Sequence, residues 1–251
     1  ALRGEGLYPT KSLLMTGPPG LGKTMSVKWM ARQLGLPLLV LDLSTVMSSL
    51  LGKTGGNLRA VIDFAKSEDG ILFLDEFDSV AKRRDDEVDI GELKRLVTVL
   101  LQEIDNWPHE KLLVAATNHE ELLDPAVWRR FDLHLRFELP DRNQVEEAMK
   151  RFLSFAPDGD QLAHITASVY TGRSFCDIER ELMHLRKQSL LTNEGFTELL
   201  KRSVHGHCRS LRPRDRKAIA VEMVKAGVTQ LDAHEWTGAA RDTIRSAMEK
   251  Q

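Results

Sequence analysis

An apolar run ending at Thr16 leads directly into Gly17-Pro18-Pro19-Gly20-Leu21-Gly22-Lys23-Thr24, and a helix-period stretch opens with Met25. Glycines at this spacing let the backbone curl until successive N–H groups face one point, where the positive end of the following helix adds its pull on an anion. Lys23 brings a cation to the β and γ oxygens of a polyphosphate, and Thr24 brings a hydroxyl to Mg2+. A plain glycine turn before a helix has no need of Lys followed by Thr at this spacing. The chemistry expected is capture of a magnesium nucleoside triphosphate.

The run Ile71-Leu72-Phe73-Leu74 ends in Asp75 and Glu76, two carboxylates at the C-terminal edge of an expected buried strand. That edge is where ligands sit in parallel α/β sheets. Asp75 is the candidate holder of the metal shell, and Glu76 the candidate base that polarises an attacking water. Read alone, an acidic pair after a strand is also a helix cap; beside the phosphate loop, the metal and base roles take precedence. Residues 112–117 form another apolar run ending in Asn118, an uncharged donor and acceptor suited to hold a water near the γ-phosphate; its plain alternative is a turn asparagine. Downstream, Asp124-Pro125-Ala126-Val127-Trp128-Arg129-Arg130-Phe131-Asp132 carries two adjacent guanidinium groups, which can complete a phosphate site from outside.

These groups need a scaffold that brings several strand ends to one edge. Apolar runs at residues 12–16, 38–43, 71–74, 112–117 and 134–137 are nearly continuous rather than alternating, the pattern of strands covered on both faces. Between them, residues 25–34, 57–67 and 90–104 repeat at helical spacing; in the last, Leu93, Leu96, Val97, Leu100, Leu101 and Ile104 form one stripe. The alternation predicts an α/β domain over residues 1–140, a three-layer, five-stranded parallel sheet of P-loop type. Beyond Pro140, residues 144–155, 161–170 and 175–191 predict a helical lid domain over 141–200, broken at Gly159 and Gly172. Seven Lys or Arg against one acid between Lys201 and Lys217 predict a basic linker, 201–217. Residues 216–226, 230–236 and 239–249 predict three short helices of a C-terminal segment, 218–251.

Composition narrows the functional classes. With 251 residues, 42% apolar and 29% charged, the chain is long enough for one or two real cores and is neither fibrous nor wholly disordered. Thirty-five Lys and Arg against 37 Asp and Glu give a net charge of -2, so a nucleic acid or an anionic membrane would have to be met locally. No apolar run approaches the ~18 residues of a membrane span and the start lacks an export pattern, so the chain reads as cytoplasmic with no membrane partner. Cys176 and Cys208 stand isolated and read as ordinary reduced thiols. The chain opens on Ala1 rather than Met, close to its first motif, a start compatible with a fragment of a longer chain; whether an upstream domain is missing is not written in these residues.

Together, the phosphate loop, the paired carboxylates, Asn118 and the arginine pair resemble the AAA+ ATPases, and more closely the AAA branch within them, over residues 7–191. The resemblance implies a five-stranded sheet with the phosphate-loop strand central, a helical lid, and a ring, commonly hexameric, that binds ATP with Mg2+ between neighbouring subunits. In those terms Gly17, Pro18, Pro19, Gly20, Leu21, Gly22, Lys23 and Thr24 look like the Walker A loop, with Met25 following as a further nucleotide contact. Asp75 and Glu76 look like Walker B, and Asn118 like the first sensor. Arg129 and Arg130 look like arginine fingers reaching the next subunit's nucleotide, on a segment shorter than the family's usual one. Residues 171–178 are similar to the family's lid signature, with Phe175 and Cys176 where Gly and Ala are usual, and Arg173 reads as a solvated helix-entry residue. Leu50-Leu51-Gly52 falls where the family carries an aromatic pore loop; the two leucines either wedge an extended chain or pack beneath a loop. Lys82-Arg83-Arg84-Asp85-Asp86 falls at the second pore loop, and reads equally as a solvated helix end.

Residues 230–247 resemble a helix-turn-helix, with Gly238 in the turn and Leu231, Ala233, Trp236, Ile244 and Ala247 as its small core. Arg241, Thr243 and Arg245 would then face a DNA groove, although His234 stands where such motifs usually hold a small residue; an ordinary capping bundle is the alternative. The function expected is Mg2+-dependent ATP hydrolysis by an oligomeric ring that remodels or unfolds a protein client, with an associated peptidase as a further candidate partner. The alternative is a DNA-associated ATPase switch that uses the C-terminal helices.

Overall fold

The computed structural model describes residues 8–49, 54–81 and 90–249. Leu50, Leu51 and residues 82–86, the two pore-loop candidates, lie outside the described residues, as does the side chain of Leu93. The chain divides into two units, Ala1–Glu138 and Leu139–Gln251.

In the first unit the strands are β1 (Ser12–Thr16), β2 (Leu38–Asp42), β3 (Ile71–Asp75), β4 (Leu112–Thr117) and β5 (Leu133–Arg136). They form one sheet in the order β2-β3-β4-β1-β5, and every pairing is parallel. Register brings the strand ends level: Thr16 lies beside both Thr117 and Arg136, and Asp42 beside Asp75. The phosphate-loop strand β1 is interior, between β4 and β5, but the middle position belongs to β4, which corrects the expected central placement.

Nearly continuous apolar strands are what two covered faces require, since alternate side chains point to opposite sides. On one face, Leu13, Met15, Ile71, Phe73, Val114 and Ala116 pack with Val27 and Ala31 of α1 (Lys23–Leu34). On the other, Leu14, Leu72, Leu74, Leu113 and Ala115 meet Leu43 at the start of α2 (Leu43–Ser49), Leu58 and Ile62 of α3 (Thr54–Ser67), and the stripe Leu96, Leu100 and Ile104 of α5 (Ile90–Asp105). Two short helices, α4 (Asp78–Ala81) and α6 (Pro125–Trp128), complete the α-helices of this unit among the described residues. The expectation of five fully buried strands fails at the edges: all four residues of β5 are exposed and β2 is only partly covered, because an edge strand has a neighbour on one side only. Between α3 and α5, Glu103 is buried and receives Arg59 Nε at 2.9 Å together with the Lys66 ammonium. Burial pushes the Glu103 carboxyl up, but the two cations outweigh it and hold it below its ordinary range.

The second unit consists of α7 (Arg142–Phe152), α8 (Gly159–Tyr170), α9 (Phe175–Thr192), α10 (Phe196–Ser210), α11 (Pro213–Lys225), α12 (Gln230–Thr237) and α13 (Arg241–Met248). One core runs through all seven, from Val145 to Ile244, so the expected lid and C-terminal segment share a single interior rather than standing apart. The expected basic linker over 201–217 is corrected: these residues span most of α10 and the first turn of α11. Leu199, Leu200, Val204 and Cys208 are buried at helical spacing, while Arg202 and Arg209 sit on the solvated side. Arg216 closes the corner by donating to the carbonyl oxygens of Cys208, Arg209 and Leu211. Arg173 is not the solvated residue expected at the start of α9: its Nη1 donates to Glu181 Oε2 at 2.7 Å and its guanidinium lies over the Tyr170 ring.

Candidate active site

The site forms where β1 ends and the chain must turn sharply into α1. Three glycines take the left-handed backbone region, Gly17 at φ 132°, Gly20 at 77° and Gly22 at 94°. At Gly17 space adds to conformation, because a Cβ there would meet the Phe137 carbonyl oxygen at 2.2 Å. Past Gly22, the first-turn N–H groups of α1 lack intrahelical acceptors, which makes that helix end an anion site.

Lys23 is buried and its ammonium donates to three oxygens: Gly17 O at 2.5 Å, Pro18 O at 2.9 Å and Asn118 Oδ1 at 2.7 Å. Burial pulls its pKa below the ordinary lysine value, opposed by the nearby charges of Asp75 and Asp78. Thr24 Oγ1 donates to Asp75 Oδ2 at 3.2 Å, so a hydroxyl and a carboxylate from different elements already share one point. This pair of hard oxygen donors, with a cation alongside and three left-handed glycines before it, fits a magnesium triphosphate.

Glu76 follows with φ 53°, a left-handed conformation rare for a side chain of this size. Three contacts hold it: Glu76 N–H donates to Asp75 Oδ1 at 3.0 Å, Phe77 N–H to Ala116 O at 2.9 Å, and Ser79 N–H to Glu76 O at 2.9 Å. The result is an exposed carboxylate at the end of β3 on a backbone that costs about 1–3 kcal/mol to maintain, a pattern that clusters at reactive sites.

Two acids escaped the sequence reading. Asp78 is buried and accepts from Thr117 Oγ1 at 2.9 Å and Asn118 N–H at 3.4 Å, so it holds the backbone from which Asn118 reaches Lys23. Its signal was its place in Asp75-Glu76-Phe77-Asp78, one helical entry after the pair. Glu120, in the helical turn that follows β4, accepts from Thr16 Oγ1 at 2.8 Å and pairs with Arg136 at 2.7 Å, tying that turn to the ends of β1 and β5; nothing local in the sequence announces it.

The structure thus brings Gly17, Pro18, Lys23, Thr24, Asp75 and Asn118 into direct contact. Pro19, Gly20, Leu21 and Gly22 complete the loop, with Leu21 buried, and Met25 is 74% exposed on α1. The arginines stand apart from this cluster and differ from each other. Arg130 is held within its own chain, Nε to Asp105 Oδ2 at 3.0 Å and Nη1 to Ala126 O at 2.6 Å. Arg129, at the end of α6, is exposed and its guanidinium has no partner among the described residues.

Known proteins are similar in sequence over the region that carries this site. The model of the ATPase family associated with various cellular activities (AAA) matches residues 13–139. An AAA family ATPase of Sinorhizobium fredii, y4kL, is 40% identical over 179 residues, covering 71% of this chain and 54% of that protein. ATP-dependent zinc metalloprotease FtsH 3 of Sphaerobacter thermophilus is 30% identical over 87% of this chain and 48% of its own length. The proteasome-activating nucleotidase of Methanopyrus kandleri is 32% identical over 78% of this chain and 48% of its own. The chain therefore spans about half the length of these curated relatives. With the matched region running from β1 past β5 and holding every group of the phosphate site, the chain belongs to the AAA family of ATPases.

Proposed function

We propose that the chain hydrolyses ATP as one subunit of a cytoplasmic ring, commonly hexameric in this family, and uses the energy to remodel or unfold a protein client. The observation that carries this reading is the convergence of Lys23, Thr24, Asp75 and Asn118 at one sheet edge, with Glu76 exposed beside them. Magnesium, when bound with the nucleotide, spreads the charge of the β and γ oxygens. Thr24 and Asp75 hold that ion, and Lys23 exchanges its carbonyl and amide partners for phosphate oxygens. Glu76 accepts the proton of the water that attacks the γ-phosphorus, while Asn118 orients that water. The bond from the γ-phosphorus to the bridging oxygen breaks, and ADP carries the electron pair away.

Arg129 is the finger that reaches a neighbouring subunit's nucleotide, supported by its exposure and by the internal ties of Arg130. The names of the relatives, a zinc metalloprotease and a proteasome-activating nucleotidase, support a protein client and an associated peptidase. No helix among the described residues is long and apolar enough to cross a membrane.

The Glu76→Gln protein tests the assignment. It is expected to bind ATP and to lose turnover by about a thousandfold or more; ordinary steady-state hydrolysis by this variant would remove Glu76 from its role. A second reading, an ATPase switch assembled on DNA, is favoured by one observation: Arg241, Thr243 and Arg245 of α13 are all exposed on one short terminal helix.

A further inference from the structure

We infer that α12 and α13 form a duplex-reading pair in which α13 enters the major groove of DNA and presents Arg241 and Arg245, one helical turn apart, to base edges; the expected Thr243, two positions from each, lies on the other side of the helix. This rests on the second reading above and adds to it the major groove, base-edge contact and the turn that sets α13 for it.

Hydrogen bonds fix the turn between the helices. Thr229 Oγ1 caps α12 by accepting from Asp232 N–H at 3.1 Å. At the other end, Gly238 takes the left-handed region at φ 69° and its N–H donates to His234 O at 2.7 Å. Thr237 is fully buried and bridges the corner, its hydroxyl donating to Ala233 O at 2.6 Å and accepting from Ala239 N–H at 3.2 Å. His234 fits a place where bulk would spread the helices because its Nδ1 lies 2.7 Å from Ala239 O, clamping the turn. Three residues, 238–240, separate the helices, the connection a helix-turn-helix requires.

Packing leaves α13 free to present its outer side. Ala233, Trp236 and Ile244 form the expected small core, whereas Leu231 is 49% exposed and outside it. Ile244 is the one buried residue of α13, which packs against α11 and α12, while Arg241, Asp242, Thr243, Arg245 and Ser246 are exposed. A helix anchored by one side chain contributes little to the core. Residues 196–251 hold eleven Lys or Arg against seven Asp or Glu, while residues 1–195 hold twenty-four against thirty; on α13 itself Asp242 follows Arg241, and Arg245 pairs with Glu249 at 3.5 Å, a partner it exchanges for a base edge. Arg209, Arg212 and Arg214 are exposed in that stretch and available to phosphates. Charge selects a polyanion, and helix dimensions select its form. A B-form major groove about 12 Å wide admits an α-helix, whereas the deep, narrow major groove of duplex RNA does not.

The test uses the full chain. A randomised DNA duplex library is selected for binding at low salt, and fluorescence anisotropy then compares the recovered site with unselected duplex and with polyglutamate. A recovered consensus is expected, with Arg241→Ala/Arg245→Ala weakening it about a hundredfold and weakening unselected duplex by less than about tenfold. A thermal melt of the variant matching the parent shows that the fold is kept. Uniform weakening, or no consensus, would overturn base reading by α13 and leave DNA association standing. No duplex binding at low salt would overturn both, as would polyglutamate competing as well as duplex, which would assign the surface to an acidic protein.

Discussion

Arg129 and Arg130 differ by a single position and are expected to behave differently. Arg129 is exposed and its guanidinium has no partner among the described residues, as a group acting on a neighbouring subunit would be. Arg129→Ala is expected to leave ATP affinity intact in calorimetry while cutting turnover about a thousandfold, the scale of an arginine finger. Arg130 ties α6 to Asp105 at the end of α5, so Arg130→Ala should cost about 1 kcal/mol in denaturant unfolding, discounted for its partial exposure. Equal loss of turnover in both variants at unchanged stability would remove the distinction. Asp78 acts one step removed, through the backbone of Asn118. Asp78→Asn should therefore lower kcat more than it raises KM for ATP, and a change in KM alone would show that it serves binding only. The pairing of Asp75 and Glu76 at a strand end was legible because the two are neighbours in sequence after one apolar run. Glu120 was not, since its partner Thr16 is 104 positions away.

Helices α3 and α5 meet across a buried carboxylate, and the energy of that contact is local to the pair. Glu103→Ala is expected to cost about 1–3 kcal/mol in denaturant unfolding, below the cost of stranding a fully buried charge, because Arg59 is about half exposed and can turn to water. An unchanged midpoint would mean that the two cations find equal partners elsewhere. The ends of α5 were readable from its apolar stripe. Helix α10 was hidden because counting charge along the chain obscures spacing: Leu199, Leu200, Val204 and Cys208 recur at helical intervals beneath the basic residues. Burial of a face, rather than composition, decided that this segment folds.

For the molecule as a whole, acid is expected to weaken the second unit through Glu181, as it weakens the first through Glu103. Glu181 accepts from Tyr170 O–H at 2.9 Å, Ser203 O–H at 2.6 Å and Arg173 at 2.7 Å, with His207 Nε2 at 2.8 Å. Burial pushes its carboxyl up, yet these donors bring it down from 4.5 to about 2. A depressed carboxylate stabilises the folded form fully above about pH 4.5, and that contribution drains away as pH falls toward 2. Unfolding followed by circular dichroism across this window should steepen with acid in the parent chain and flatten in Glu181→Gln. Parallel curves would show that the network contributes no linkage.

The sequence by itself determined the phosphate loop, the acidic strand end and the alternation of strands and helices, because each is written in neighbouring residues and obeys a short spacing rule. Tertiary structure alone decided that Asp78 supports Asn118, that Arg130 is tied to Asp105 while Arg129 lies exposed, and that the lid and the C-terminal helices share one core. Those outcomes depend on which distant groups a buried polar atom or an apolar face can reach, and spacing along the chain carries no record of that distance.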